Sequence, residues 1–158
     1  MKTMWRKSKI MLAIGIAILI FIIWNLTWLV FVNFKYKPYT ETVPKDKYGT
    51  YHIVGSEGYN FNVKKPDYLS LTGNLGSVAP DDICSLIIWL KVFGGYKYGL
   101  RIQDNSGGYD IMVDSNGNPI RLDSQSNEEF EKTVEIIRKN KVSIQKIFDK
   151  VNSQWDLS

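Results

Sequence analysis

The sequence predicts an α+β chain: an N-terminal transmembrane helix, then a mainly antiparallel, meander-like sheet of about six or seven strands, covered by a C-terminal amphipathic helix or helix pair. Three observations carry this expectation. Residues 10–32 are almost entirely apolar. Between residues 51 and 113 apolar and polar residues alternate with period two. After Ser126 the apolar spacing changes to alternating fours and threes.

Residues 10–32 read IMLAIGIAILIFIIWNLTWLVFV, with Asn25 and Thr27 the clearly polar members. As a helix at ~1.5 Å per residue they span roughly 34 Å, the thickness of a hydrocarbon core crossed with some tilt. A helix satisfies its own backbone groups, as lipid requires. Trp5 precedes the run, and Trp24 and Trp28 lie toward its far end, where aromatic rings favour the headgroup boundary. Lys35 and Lys37 then reach headgroups. Trp5, Trp24, Trp28, Lys35 and Lys37 are the candidate membrane-anchoring residues. A cleaved secretory signal has a shorter apolar core and small residues at its cleavage site, whereas bulky residues occupy 28–34 here. The run therefore reads as an uncleaved signal-anchor of a single-pass protein.

The charge agrees. The formal net charge is +4, and Lys2, Arg6, Lys7 and Lys9 alone supply that excess. No acidic residue precedes Glu41, so everything after the apolar run is formally neutral. A basic head before a first span favours a cytoplasmic N-terminus and an extracytoplasmic domain. Lys35, Lys37, Lys45 and Lys47 follow the span and oppose that bias. A neutral domain without a basic run lacks the electrostatic footprint of a nucleic-acid binder. The expected organisation is a basic cytoplasmic tail (1–9), a transmembrane helix (10–32), a stalk or first edge strand (33–48) and an extracytoplasmic α+β domain (49–158).

Residues 33–48 carry Pro38 and Pro44, which argue for an extended segment. Beyond them, Tyr51–Ile53, Tyr59–Val63, Leu69–Thr72, Tyr96–Gln103 and Tyr109–Val113 each alternate, as strands with one buried and one wet face do. Leu86–Leu90 is continuously apolar and reads as a strand buried on both faces, or as a short buried helix. Gly94-Gly95 after it favours a strand entering a hairpin. Glycine, asparagine and proline clusters at 55–58, 65–67, 73–74, 105–108 and 116–119 mark the turns.

Ser126-Asn-Glu-Glu129 is a capping-box signature. Phe130, Val134, Ile137, Ile144, Phe148, Val151 and Trp155 then form one apolar stripe, which Asn140 can break in two. Packing of this stripe against the sheet is the expected use; a coiled-coil dimer is the alternative, weakened by Lys141 in the seam. Ala13 and Ala17 form a small-xxx-small pair that suits helix association in a structural assembly subunit.

Chemistry-bearing residues are sparse. One histidine, His52, and one cysteine, Cys84, leave no His/Cys zinc site. No nucleophile elbow or phosphate-binding loop occurs. Asp114-Ser-Asn-Gly-Asn118 has the alternating oxygens of a calcium loop, yet Pro119 and Gln125 stand where that loop needs glycine and glutamate, so a hairpin turn is expected. Asp81, Asp82, Asp110 and Asp114 would have to converge, with a raised pKa, to make an envelope hydrolase. The expectation is no catalytic residue, no metal and no cofactor.

All nine tyrosines lie between residues 36 and 109. Tyr51, Tyr59, Tyr96, Tyr98 and Tyr109 fall on apolar strand faces. Tyr39, Tyr48 and Tyr68 remain as candidate partner-binding residues, since a rigid ring with a polar tip suits recognition. The function expected is a membrane-tethered binding module at the cell envelope, with the lipid bilayer and a protein as partners. The alternatives are the hydrolase and the assembly subunit.

Overall fold

The computed structural model describes residues 2–104 and 107–157, with side chains described for 8–103 and 107–157. The chain divides into two compact units, residues 1–36 and 37–158.

The first unit belongs to helix α1 (Lys2–Thr42). Residues 8–42 make the single helix, among those described, long and apolar enough to cross a membrane. Isoleucines, leucines and Phe21 point outward all round it, which suits lipid and not water. Asn25 does not break this character. Its side-chain Nδ2 donates to the Phe21 carbonyl at 2.7 Å, one turn back on the same helix.

The expected extended stalk is corrected here. The helix continues through Pro38 to Thr42. Proline removes one backbone donor and loosens the helix around it. Thr40 Oγ1 donates to the Lys37 carbonyl at 3.2 Å and Thr42 Oγ1 to the Tyr39 carbonyl at 3.0 Å, so hydroxyls serve acceptors near the C-terminal end of the helix. Only the residues after Thr42 are non-helical, and Lys45 bridges Tyr51 in antiparallel fashion.

The second unit holds a six-stranded sheet in strict chain order. Its strands are β1 (Tyr51–Val54), β2 (Asn60–Lys64), β3 (Asn74–Val78), β4 (Cys84–Leu90), β5 (Tyr96–Asp104) and β6 (Gly107–Val113). All five pairings are antiparallel, as short turns between sequential strands require. Gly94 and Gly95 take φ of 95° and 76° in the β4–β5 turn, a left-handed geometry that side chains resist. The turn proposed at 105–108 includes Asn105 and Ser106, which lie outside the described residues.

Two strand expectations change. Leu69–Thr72 is not a strand; Leu69 sits at φ 66° and is exposed, in the loop between β2 and β3. The strand in that part of the sheet is β3, whose Gly76 hid it from a propensity reading. Strand β4 is not buried on both faces. Cys84, Leu86, Ile88 and Leu90 are buried, while Ser85, Ile87 and Trp89 are half-buried.

Helix α2 (Asn127–Lys139) starts at the capping box: Ser126 Oγ accepts from the Glu129 amide, and the Glu129 carboxylate accepts from the Ser126 amide at 2.8 Å. Asn140 ends it, and α3 (Lys141–Trp155) follows. The break resets the helical phase. In α3 the buried side is Ile144, Ile147, Phe148, Val151 and Trp155, close to the expected stripe. In α2 it is Thr133 and Ile136, one residue off the expected Val134 and Ile137.

Helix α3 packs on β3 and β4. Trp155 meets Phe61 edge to face at 5.5 Å between centroids, and Phe148 stacks obliquely on Tyr98 at 5.6 Å. Leu75, Leu86, Ile88, Leu100, Ile102 and Val113 complete this core.

Candidate functional site

Alternation along each strand leaves a second face, which carries a different set of side chains. The pairing register lines up Asn62, Gly76, Ile87, Gly99 and Met112 across β2 to β6. A parallel row holds Asn60, Val78, Ser85, Arg101 and Asp110. A third holds Lys64, Asn74, Trp89 and Lys97.

The glycines shape this face. A Cβ on Gly99 would lie 2.8 Å from Cη2 of Trp89, so the indole occupies the space above Gly99. Met112 Sδ is 3.8 Å from the same point. A Cβ on Gly76 would lie 2.7 Å from Asn62 Oδ1. A large side chain thus leans over each bare backbone position and shields it, the arrangement that rescues glycine in a strand. Two shallow grooves result. One of about 600 Å³ is lined by Trp89, Val92, Phe93 and Met112 with Lys91 and Lys97. The other, of about 250 Å³, is lined by Asn62, Asn74, Ser85, Ile87 and Arg101.

Two of the charges on this face pair with each other. Arg101 grips Asp110 with two parallel bonds, Nε to Oδ1 at 2.8 Å and Nη2 to Oδ2 at 3.1 Å. The hydrogen bond from Arg101 holds the Asp110 carboxyl below its ordinary range. Asp114 is also held low. Its partial burial pushes the other way and is outweighed by donors from Asn118 and Asn116. A general acid needs the opposite shift. Asp81 accepts from the Ile83 amide at 3.1 Å, a turn contact.

The Asp114–Asn118 segment folds as a hairpin-like turn. Asp114 N donates to the Asn118 carbonyl at 2.9 Å, and the Asp114 carboxylate accepts from Asn116 N, Asn118 N and Asn118 Nδ2. Both carboxylate oxygens are therefore engaged within the turn. Among the described residues no group of three or more His, Cys, Asp or Glu is placed to hold a metal ion. His52 Nε2 lies 3.3 Å from Asn60 Oδ1. Burial, with a smaller contribution from the Asp81 charge, pushes the Cys84 thiol up to about 11, which suits a core residue and not a nucleophile.

The anchoring candidates lie where an apolar helix would carry them. Trp24 is exposed and Trp28 half-buried on α1. Lys35 Nζ stands over the Phe31 ring at 5.3 Å, and Lys37 pairs with Glu41 at 3.7 Å. The Trp5 side chain lies outside those described.

The tyrosine candidates divide. Tyr48 and Tyr68 are exposed at 79% and 55%. Tyr39 is not a surface ring: it is half-buried, and its hydroxyl bonds that of Tyr96 at 3.0 Å. The three belong to separate segments: the end of α1, the α1–β1 connection and the β2–β3 loop. The face built by Ile87, Trp89 and Met112 was missed because a five-residue apolar run reads as fully buried. The signal that could have found it is the pair of glycines at 76 and 99, which leave the neighbouring strands without cover on one side.

No protein-family model matches the chain, and no curated protein or solved structure matches it either.

Proposed function

We propose that this chain is a membrane-anchored binding module, without catalysis, acting at the cell envelope. Helix α1 holds it in the bilayer by one span, with the N-terminus cytoplasmic and the sheet domain outside. A protein partner docks on the second face of the sheet. The observation that carries this reading is the asymmetry of β4: its Leu86 side is sealed by α3, while Ile87 and Trp89, with Met112 on β6, stay accessible under no helix. Half-exposed aliphatic and indole groups framed by amides and an ion pair resemble the core and rim of a docking patch. The anchor keeps the patch at high local concentration near other membrane-bound proteins.

The test is a photoreactive residue at Ile87 of the full-length chain in its native membrane, with Val142 on α3 as control. A discrete protein adduct at 87, absent at 142 and lost on Met112→Glu, is expected. Equal adducts at both positions would overturn the docking face. Extraction of the chain by carbonate would overturn the anchor.

A further inference from the structure

The β4–β5 hairpin ends in an apex that the fold does not use. Phe93 is 101% exposed, as open as a side chain in an extended peptide. Gly94 and Gly95 follow it in left-handed geometry and hold the turn tight, closed by Lys91 N to the Gly95 carbonyl at 3.0 Å. Lys91 and Lys97 flank the apex, and residues 90–98 contain no carboxylate. A phenyl between two lysines on a tight turn matches an anionic lipid surface, with Asp114 the acidic group lining the same hollow as the lysines: the ring suits the boundary between headgroups and chains, and each lysine the phosphates.

The chain also limits how far the base of the hairpin can lie from the apolar run. Tyr96, which pairs with Leu90 at the hairpin base, bonds Tyr39 hydroxyl to hydroxyl at 3.0 Å. Tyr39 follows Val32, the last residue of the apolar run, by a stretch of α1 only ~10 Å long at helical rise. The headgroup layer on each side of a bilayer is itself roughly 5–7 Å deep.

We propose that the Lys91–Lys97 hairpin is a second membrane contact, with Phe93 inserted at the headgroup boundary and Lys91 and Lys97 on anionic phosphates. This rests on reading α1 as a span. The two can fail separately. The full-length chain carrying Phe93→Cys is labelled with a nitroxide and reconstituted in phosphatidylcholine vesicles containing phosphatidylglycerol; buried Cys84 stays unlabelled. Oxygen, which concentrates in lipid, is expected to relax the label at 93 more than an aqueous nickel chelate does. A label at Val142→Cys is expected to show the reverse. Adding Lys91→Glu and Lys97→Glu is expected to return position 93 to the aqueous pattern. A label at 93 as water-accessible as the one at 142, in chain that resists carbonate, would overturn the hairpin contact alone. So would spin–spin broadening at 93 that grows with protein-to-lipid ratio, because a second copy would then be the occupant. Chain released by carbonate would overturn the span, and the hairpin contact with it.

Discussion

The two faces of the one sheet solve opposite problems with the same strands. On the covered face, Leu75, Leu86, Ile88, Leu100 and Ile102 fill the space beneath α3, and close packing sets their value. On the other face the sheet protects itself: Trp89 leans over Gly99 and Asn62 over Gly76. The difference teaches that a glycine in a central strand is not always a weakness. It can be the socket for a neighbouring side chain, which then lies along the sheet.

The comparison breaks hardest on the covered side. Leu86→Ala removes a side chain with no exposure at all, and is expected to cost about 2–5 kcal/mol in urea unfolding. Gly99→Ala attacks the other face by driving a methyl group into Trp89, at an expected cost of about 1–3 kcal/mol. The same change in a Trp89→Ala background should lose most of that penalty, because the clash has no partner. A cycle showing full additivity would mean that Trp89 and Gly99 are not coupled.

Smaller effects sharpen the picture. Ser126→Ala removes the helix cap of α2 and is expected to lower stability by about 1 kcal/mol. The Ser126 amide and hydroxyl hold the Glu129 carboxyl below its ordinary 4.5. Stability from that bond is present above pH 4.5 and lost as pH falls through the lower folded value. A carboxyl-carbon NMR titration of Glu129 midway below 4.5 is expected, moving only part of the way up in Ser126→Ala, which removes the hydroxyl and keeps the backbone amide. The smallest change belongs to Arg101→Ala. Its ion pair with Asp110 is largely exposed, so the unfolding midpoint should barely move. The Asp110 titration, now held low, should rise toward the ordinary 3.8.

The architecture was legible where a local rule matched a local structure. The apolar run, the capping box at Ser126 and the Gly94-Gly95 hairpin needed no tertiary information. The continuation of α1 past Pro38 was not legible, because proline ordinarily marks a helix boundary, and here it is carried inside the helix. The phase of α2 was missed because Asn140 lets each helix choose its own buried side. Binding surfaces were harder still. Tyr39 looked accessible because it lies on none of the apolar strand faces, yet its hydroxyl bonds that of Tyr96, 57 positions away. Trp89 looked buried because its accessibility depends on what lies across two other strands.

The meander has a further meaning for how the chain is made. Every strand pairs with the one just before it, so the sheet can zip up in order as polypeptide is delivered, with little loop entropy to overcome at each step. Helix α3, which shields Leu86 and Ile88, is synthesised after all six strands. There is therefore a moment when a nearly complete sheet waits with its greasy side uncovered, and its vulnerability to aggregation is concentrated in the delay before this fifteen-residue helix arrives.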